Sequence, residues 1–122
     1  MDAYKQADLI VQQQFSGAAY MEFLRVPALS MGVYSLAAGS DDPQQPHGED
    51  EVYYVAYGRA MIRVGDEDRR VVPGTIVYVP AQVTHFFHTI SEDLTVLVFF
   101  APAEYSNRKA VQGAEKRRDF TV

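Results

Sequence analysis

The chain has 122 residues and a mass of 13.7 kDa, room for one domain, and its 48% hydrophobic and 22% charged residues exclude intrinsic disorder. Cysteine is absent, which excludes disulfides, thiolate metal centres and thiol nucleophiles. Residues 1–102 carry six Lys/Arg against thirteen Asp/Glu, and residues 103–122 five against three; an acidic body repels phosphate backbones, so nucleic acid is not an expected partner.

Asp2, Asp8 and the run Gln12 to Gln14 do not read as a signal peptide. The longest apolar run, Val96 to Ala101, falls far short of the roughly 20 residues of a membrane span, so a soluble, cytoplasmic protein without a membrane partner is expected. Tyr4, Ala7, Ile10 and Val11 recur at helical spacing, with Asp2 placed as a cap and Gly17 as a terminator. Residues 1–18 are therefore expected to form a helical extension.

From residue 19 the pattern changes to short runs rich in Val, Tyr, Phe and Ile between Gly, Pro and Asp breaks. Strands are expected near 19–25, 30–37, 51–57, 59–64, 69–72, 75–79, 83–90 and 94–100, with Gly58 and Ser91-Glu92-Asp93 among the breaks. Eight short strands without strand–helix alternation predict an all-β sandwich or small barrel over residues 19–102. In 59–64 the alternation puts Ala60, Ile62 and Val64 on one face. Residues 94–100 are apolar on both faces, as in a central strand or one covered by a partner, and a homodimer is expected. Residues 103–122, with Arg108, Lys109, Lys116, Arg117 and Arg118, read as a solvated basic tail.

Two of the three histidines sit at the openings of strands. His47 precedes Gly48-Glu49-Asp50-Glu51, and in an extended chain Gln45, His47, Glu49, Glu51 and Tyr53 share one face. His85 opens the run that contains Phe87. Burying carboxylates beside an imidazole is costly unless a cation or hydrogen bonds compensate, and two imidazoles with one carboxylate suit a divalent metal with open positions. A solvated acidic loop is the competing reading of the same residues. By parity His88 faces away from His85, and Asp50 away from Glu51. No G-x-S-x-G, phosphate loop or HExxH helix occurs, so serine hydrolase, nucleotide-binding and zincin chemistry are not expected.

The segments in register carry a family resemblance over roughly residues 30–101. Gly39 to Gly58 resembles the first cupin motif, with three residues between His47 and Glu51 and six between Glu51 and Gly58. Gly74 to Thr89 resembles the second, with Gly74, Pro80, His85 and Thr89 at the motif's spacings. The resemblance implies a double-stranded β-helix (jelly-roll) barrel with a metal in its mouth, held by His47, Glu51 and His85. Three positions depart from the family pattern: Gln45 stands for the first histidine, Gln82 for a glycine and Thr89 for an asparagine. The amide oxygen of Gln45 is a candidate fourth ligand, with water as its alternative.

The function implied is that of a metal-binding cupin, a small enzyme acting on an organic acid, enol or carbonyl compound by oxygenase or isomerase/lyase chemistry with one divalent Fe, Zn, Mn or Ni ion. Glu49 is the candidate general base, with a hydrated rim position as its alternative; Tyr53 and Phe87 are the candidate substrate-pocket walls. The alternative function is a sensing or binding module for a small ligand, without turnover. Asp41, Asp42, Glu49, Asp50 and Glu51 would gather negative charge around the barrel mouth.

Overall fold

Two long strands organise the fold. The computed structural model describes residues 1–107, so most of the basic tail lies outside the described residues. The elements are α1 (Gln6–Ser16), β1 (Tyr20–Val26), β2 (Leu29–Leu36), β3 (Asp50–Val64), β4 (Glu67–Val71), β5 (Ile76–Val79) and β6 (His85–Ala101). All pairings are antiparallel, in the order β1-β2-β6-β3-β4, and β5 adds to β3 beside residues 51–54. This is the expected all-β, double-stranded β-helix barrel with one short helix. Among the described residues no helix is long and apolar enough to cross a membrane.

The runs expected as separate strands at 51–57 and 59–64 are one strand, and so are 83–90 and 94–100. Gly58 does not end β3 but bends it. It adopts φ 95, and the β3–β6 register shifts on either side of it. On β6 the bend falls at Thr89, with φ 49, and Glu92 stays paired with Arg59 through the expected break. Each bend resets which side chains face inward. On β3 the buried set changes from Glu51, Tyr53 and Val55 to Ala60 and Ile62; on β6 it changes from His85 and Phe87 to Ile90, Leu94, Val96, Val98 and Phe100. These inward residues, with Tyr34, Leu36, Val71 and Val79, form the barrel core. Burying each large side chain contributes roughly 1.5–3 kcal/mol.

Two family departures fall where the backbone is left-handed. Gln82 adopts φ 70 and Thr89 φ 49, conformations that favour the glycine and asparagine they replace. Gln82 keeps its turn by donating its N–H to the carbonyl of His47, at 2.7 Å.

The helix starts later than expected, at Gln6; Lys5 rather than Asp2 takes the cap position, and Gly17 ends it at φ 72. Its buried residues are Leu9 and Gln13, while Tyr4 and Val11 are about half exposed, because Gln13 does the docking. Gln13 donates to the carbonyls of Ala18 and Ala19 and accepts from the Ser35 hydroxyl. A polar anchor thus replaces the apolar face suggested by spacing alone.

On the outer side of the barrel Leu29, Val52, Tyr54, Ile76, Leu97 and Phe99 line an apolar groove of about 440 Å³. Outward residues of the central strand β6 are therefore half-buried rather than polar, as its two-faced composition indicates.

A Cβ added at Gly58 would lie 2.3 Å from the Asp93 carbonyl oxygen. Gly58→Ala is expected to lose about 3 kcal/mol or more in urea denaturation, whereas Gly39→Ala, with φ 79 but open space around it, loses about 1 kcal/mol.

Candidate metal centre

Three motif residues converge inside the barrel. His47 sits in the loop that enters β3, Glu51 on the first turn of inward residues of β3, and His85 at the start of β6. Glu51 pairs with Phe100 and Val79, and His85 with Val64, so the two are not cross-strand neighbours. They meet across the barrel interior. His85 Nε2 lies 3.0 Å from Glu51 Oε1, and His47 Nδ1 lies 3.8 Å from the same oxygen. One donor atom from each of His47, Glu51 and His85 lies within 4.8 Å of the others. All three residues are buried, with 5%, 1% and 2% exposure.

Four buried polar atoms here have no hydrogen-bond partner: His47 Nδ1, His85 Nε2 and both carboxylate oxygens of Glu51. Leaving a buried carboxylate unsatisfied costs several kcal/mol. The opposite ring nitrogen of each histidine is engaged. His85 Nδ1 is 2.9 Å from the Val83 carbonyl oxygen, and His47 Nε2 is 3.0 Å from Glu104 Oε2. Two nitrogens and a carboxylate thus converge with no partner but one another, a donor set that fits a divalent transition metal. Burial opposes charge on His85, but the adjacent Glu51 carboxylate outweighs it and holds the imidazole above its ordinary value.

Tyr53 and Phe87 form the floor. Both are fully buried, their rings meet edge to face at 4.9 Å, and the Tyr53 ring lies 6.0 Å from that of His85. The Tyr53 hydroxyl donates to Gln44 Oε1 at 2.6 Å. Burial, reinforced by the Glu51 charge, pushes that hydroxyl well above its usual range and keeps it a donor.

Two sequence assignments change. Gln45 is exposed, and the glutamine that reaches inward is Gln44. Alternation fails as a guide there because β3 begins only at Asp50, so face parity does not extend back into the loop. Gln44 also donates to Asp42, a half-buried carboxylate that accepts from the Tyr34 hydroxyl and the Phe87 amide. Burial raises the Asp42 carboxyl against these hydrogen bonds.

Glu49 is neither a hydrated rim residue nor a free general base. It is 2% exposed, and its two oxygens accept the backbone N–H groups of Tyr105 and Asn107, each at 2.9 Å. Both oxygens are committed to holding residues 103–107 against the barrel. Those residues, expected to begin the tail, bury Ala103 and Glu104. His88 pairs outside with Asp68 at 2.8 Å, and Asp50 is exposed, accepting from the Ala81 N–H.

Sequence reasoning placed Asp42 at the mouth without its inward role, and missed Gln44 and Glu104. The first two lie in a loop, where spacing predicts no direction. Glu104 lies outside both motifs, and its one signal was a lone acidic residue just past the last strand.

Comparison with known proteins follows the same geometry. The family model described as "Cupin domain" matches residues 32–100. The Streptomyces coelicolor protein SCO3923 is 50% identical over 104 residues, covering 85% of this chain and 99% of that protein. Among solved structures, TT1209 from Thermus thermophilus is similar with TM-score 0.69 at 23% identity, covering 84% of this chain and 99% of that one. KdgF from Halomonas sp. is similar with TM-score 0.63 at 23% identity, covering 68% and 76%. The DMSP lyase DddQ from Ruegeria pomeroyi is similar with TM-score 0.61 at 26% identity, covering 70% of this chain and 42% of that chain.

Glu49→Ala would strand two backbone donors and is expected to cost about 2–3 kcal/mol. Native-state hydrogen exchange would register this as faster exchange at the amides of Tyr105 and Asn107.

Proposed function

This chain belongs to the cupin family, and from that premise we propose that it is a metal-dependent enzyme acting on a small organic acid, enol or carbonyl compound. The observation that carries the reading is the convergence of unpartnered lone pairs from His47, Glu51 and His85 in a buried interior. These three residues would hold one divalent Fe, Zn, Mn or Ni ion; Gln45, exposed, is left out of the set. When bound, such an ion supplies Lewis acidity toward a substrate oxygen, or with Fe a site for dioxygen chemistry. Isomerase or lyase chemistry and oxygenase chemistry are the two forms of this reading, and the likeness to a DMSP lyase is in keeping with the first.

The chain's own residues would do the rest. Tyr53 and Phe87 exclude water from beneath the site, and the Tyr53 hydroxyl keeps Gln44 aimed inward. Behind the strands that carry His85, a cleft of about 790 Å³ is lined by Ile62, Val64, Val77 and Val83 together with the charged Asp66, Glu67, Arg69 and Arg70; none of the three ligand residues lines it. Val64 pairs with His85 across the strands, and the Val83 carbonyl holds its ring. Arg69 sits opposite Ile62 in register and makes no ion pair among the described residues.

The near-complete burial of the three ligand residues favours a second reading, a barrel that binds or senses a small ligand without turnover. In either case a cytoplasmic protein is proposed, in keeping with its cysteine-free composition.

Protein prepared without chelator is expected to carry about one transition-metal ion per chain by elemental analysis. Glu51→Ala should abolish that stoichiometry and Gln45→Ala should leave it intact; equal metal content in parent and Glu51→Ala would defeat the metal reading. Product formed by loaded protein on a panel of small carboxylates favours the enzyme. A compound that raises Tm yet is recovered unchanged favours the binding module.

We also propose a homodimer formed through the outer groove of Val52, Tyr54, Leu97 and Phe99, where apolar side chains face outward from the central strands. Light scattering should give twice the 13.7 kDa chain mass, and Phe99→Glu should return it to the monomer.

A further inference from the structure

The metal reading leaves one buried carboxylate unexplained. Glu104 lies outside residues 32–100, yet it is 4% exposed and sits 3.0 Å from His47 Nε2. Three anchors hold its backbone and the turn around it. Its N–H donates to the Ser30 hydroxyl at 2.8 Å, its carbonyl accepts from Arg25 Nη2 at 2.8 Å, and Glu49 fixes the amides of Tyr105 and Asn107. A segment beyond the last strand is thus bolted down so that one carboxylate meets one imidazole nitrogen.

We propose that Glu104 is a positioning residue that fixes the tautomer of His47, so that Nδ1 presents its lone pair to the metal site. This rests on the metal reading above. Burial raises the Glu104 carboxyl, but in its ionised form it has only acceptors to offer, and the Nε2 facing it then carries the proton. In a neutral ring, Nδ1 is then the bare nitrogen, and it is Nδ1 that lies 3.8 Å from Glu51 without a partner. The neutral ring of His85 reaches the same end by other means: the Val83 carbonyl, only an acceptor, takes its Nδ1–H, so the lone pair of Nε2 is turned toward Glu51. The two rings are mirror cases, each with the outer nitrogen tied to an oxygen and the inner nitrogen free. Without Glu104, the proton of His47 would be drawn to Nδ1, where the Glu51 carboxylate is the nearest acceptor, and no lone pair would face the site. Carboxylates that orient ligating histidines are generally worth about 10–100-fold in metal affinity.

The test pairs a measurement on metal-free protein with one on metal binding. Long-range ¹H–¹⁵N spectra of the metal-free parent at pH 8 are expected to give His47 as the Nε2–H tautomer. An Nδ1–H ring, or a doubly protonated one, overturns the proposal, and this measurement needs no variant. Calorimetric titration with Zn²⁺ is expected to give about 10–100-fold weaker binding for Glu104→Ala and recovery of most of that loss in Glu104→Gln, whose amide oxygen still accepts from Nε2–H. The Glu104→Ala spectrum should shift His47 toward Nδ1–H; unchanged tautomer and Zn²⁺ affinity within twofold of the parent overturn the proposal. Ser30→Ala, which loosens the same turn but leaves the carboxylate, separates loss of packing from loss of the acceptor: it should lower Tm without changing the tautomer. If the parent binds none of Zn²⁺, Fe²⁺, Mn²⁺ and Ni²⁺, the metal reading fails by itself, and the spectra still decide the role of Glu104.

Discussion

A carboxylate buried without hydrogen bonds is the constraint on which this molecule turns. Glu51 is 1% exposed, both its oxygens lack a hydrogen-bond partner, and two imidazole nitrogens in the same condition lie 3.0 and 3.8 Å from Oε1. A barrel of this size has ample apolar material to fill its interior, as Tyr53, Phe87 and Phe100 do. Placing an acid there instead is unfavourable by several kcal/mol unless positive charge answers it. The surrounding structure can be understood as the means of holding that arrangement. β5 pairs against residues 51–54, Gln82 ties the His47 loop by its backbone, and the aromatic floor excludes water.

The strands supply position, and the loops supply charge. His47, Asp42 and Gln44 come from the segment between β2 and β3, where no strand ladder fixes side-chain direction, and each is fixed by hydrogen bonds to Tyr53, Phe87 or a turn. Acidic residues that composition places near the mouth therefore have separate duties. Asp42 is a half-buried acceptor, Glu49 binds two amides, Asp50 caps Ala81 at the surface, and of these Glu51 faces the histidines. The mouth is acidic by count but not a uniform field of charge.

Much of this was legible in the sequence, and the rest was hidden for definable reasons. The inward face of 59–64, the central position of 94–100 and the convergence of His47, Glu51 and His85 follow from alternation and motif register. The fusion of 51–57 with 59–64 was hidden because Gly58 reads as a break, while a left-handed glycine also lets a strand turn a corner. Gln45 was singled out because it stands at the motif's first histidine and because alternation was carried across a loop that is not extended; Gln44 gave no signal. Glu49 shares parity with Glu51, but parity gives a face and not the partner that claims the side chain. Glu104 could not be found at all from local pattern, since its meaning depends on a fold-back that joins residues 57 positions apart.

The paired corners at Gly58 and Thr89 carry a consequence for how such a chain can change length. Upstream of its corner β3 buries odd-numbered residues and downstream even-numbered ones; β6 makes the same switch. The metal-site residues lie on one side of these corners and much of the apolar packing on the other, so the corners act as phase shifters between chemistry and core. A single-residue deletion at either one would leave every residue chemically intact yet turn half a strand inside out, presenting Ile62 or Val96 to solvent. Length variation in this barrel is therefore confined to its loops, or must occur in steps of two along its strands.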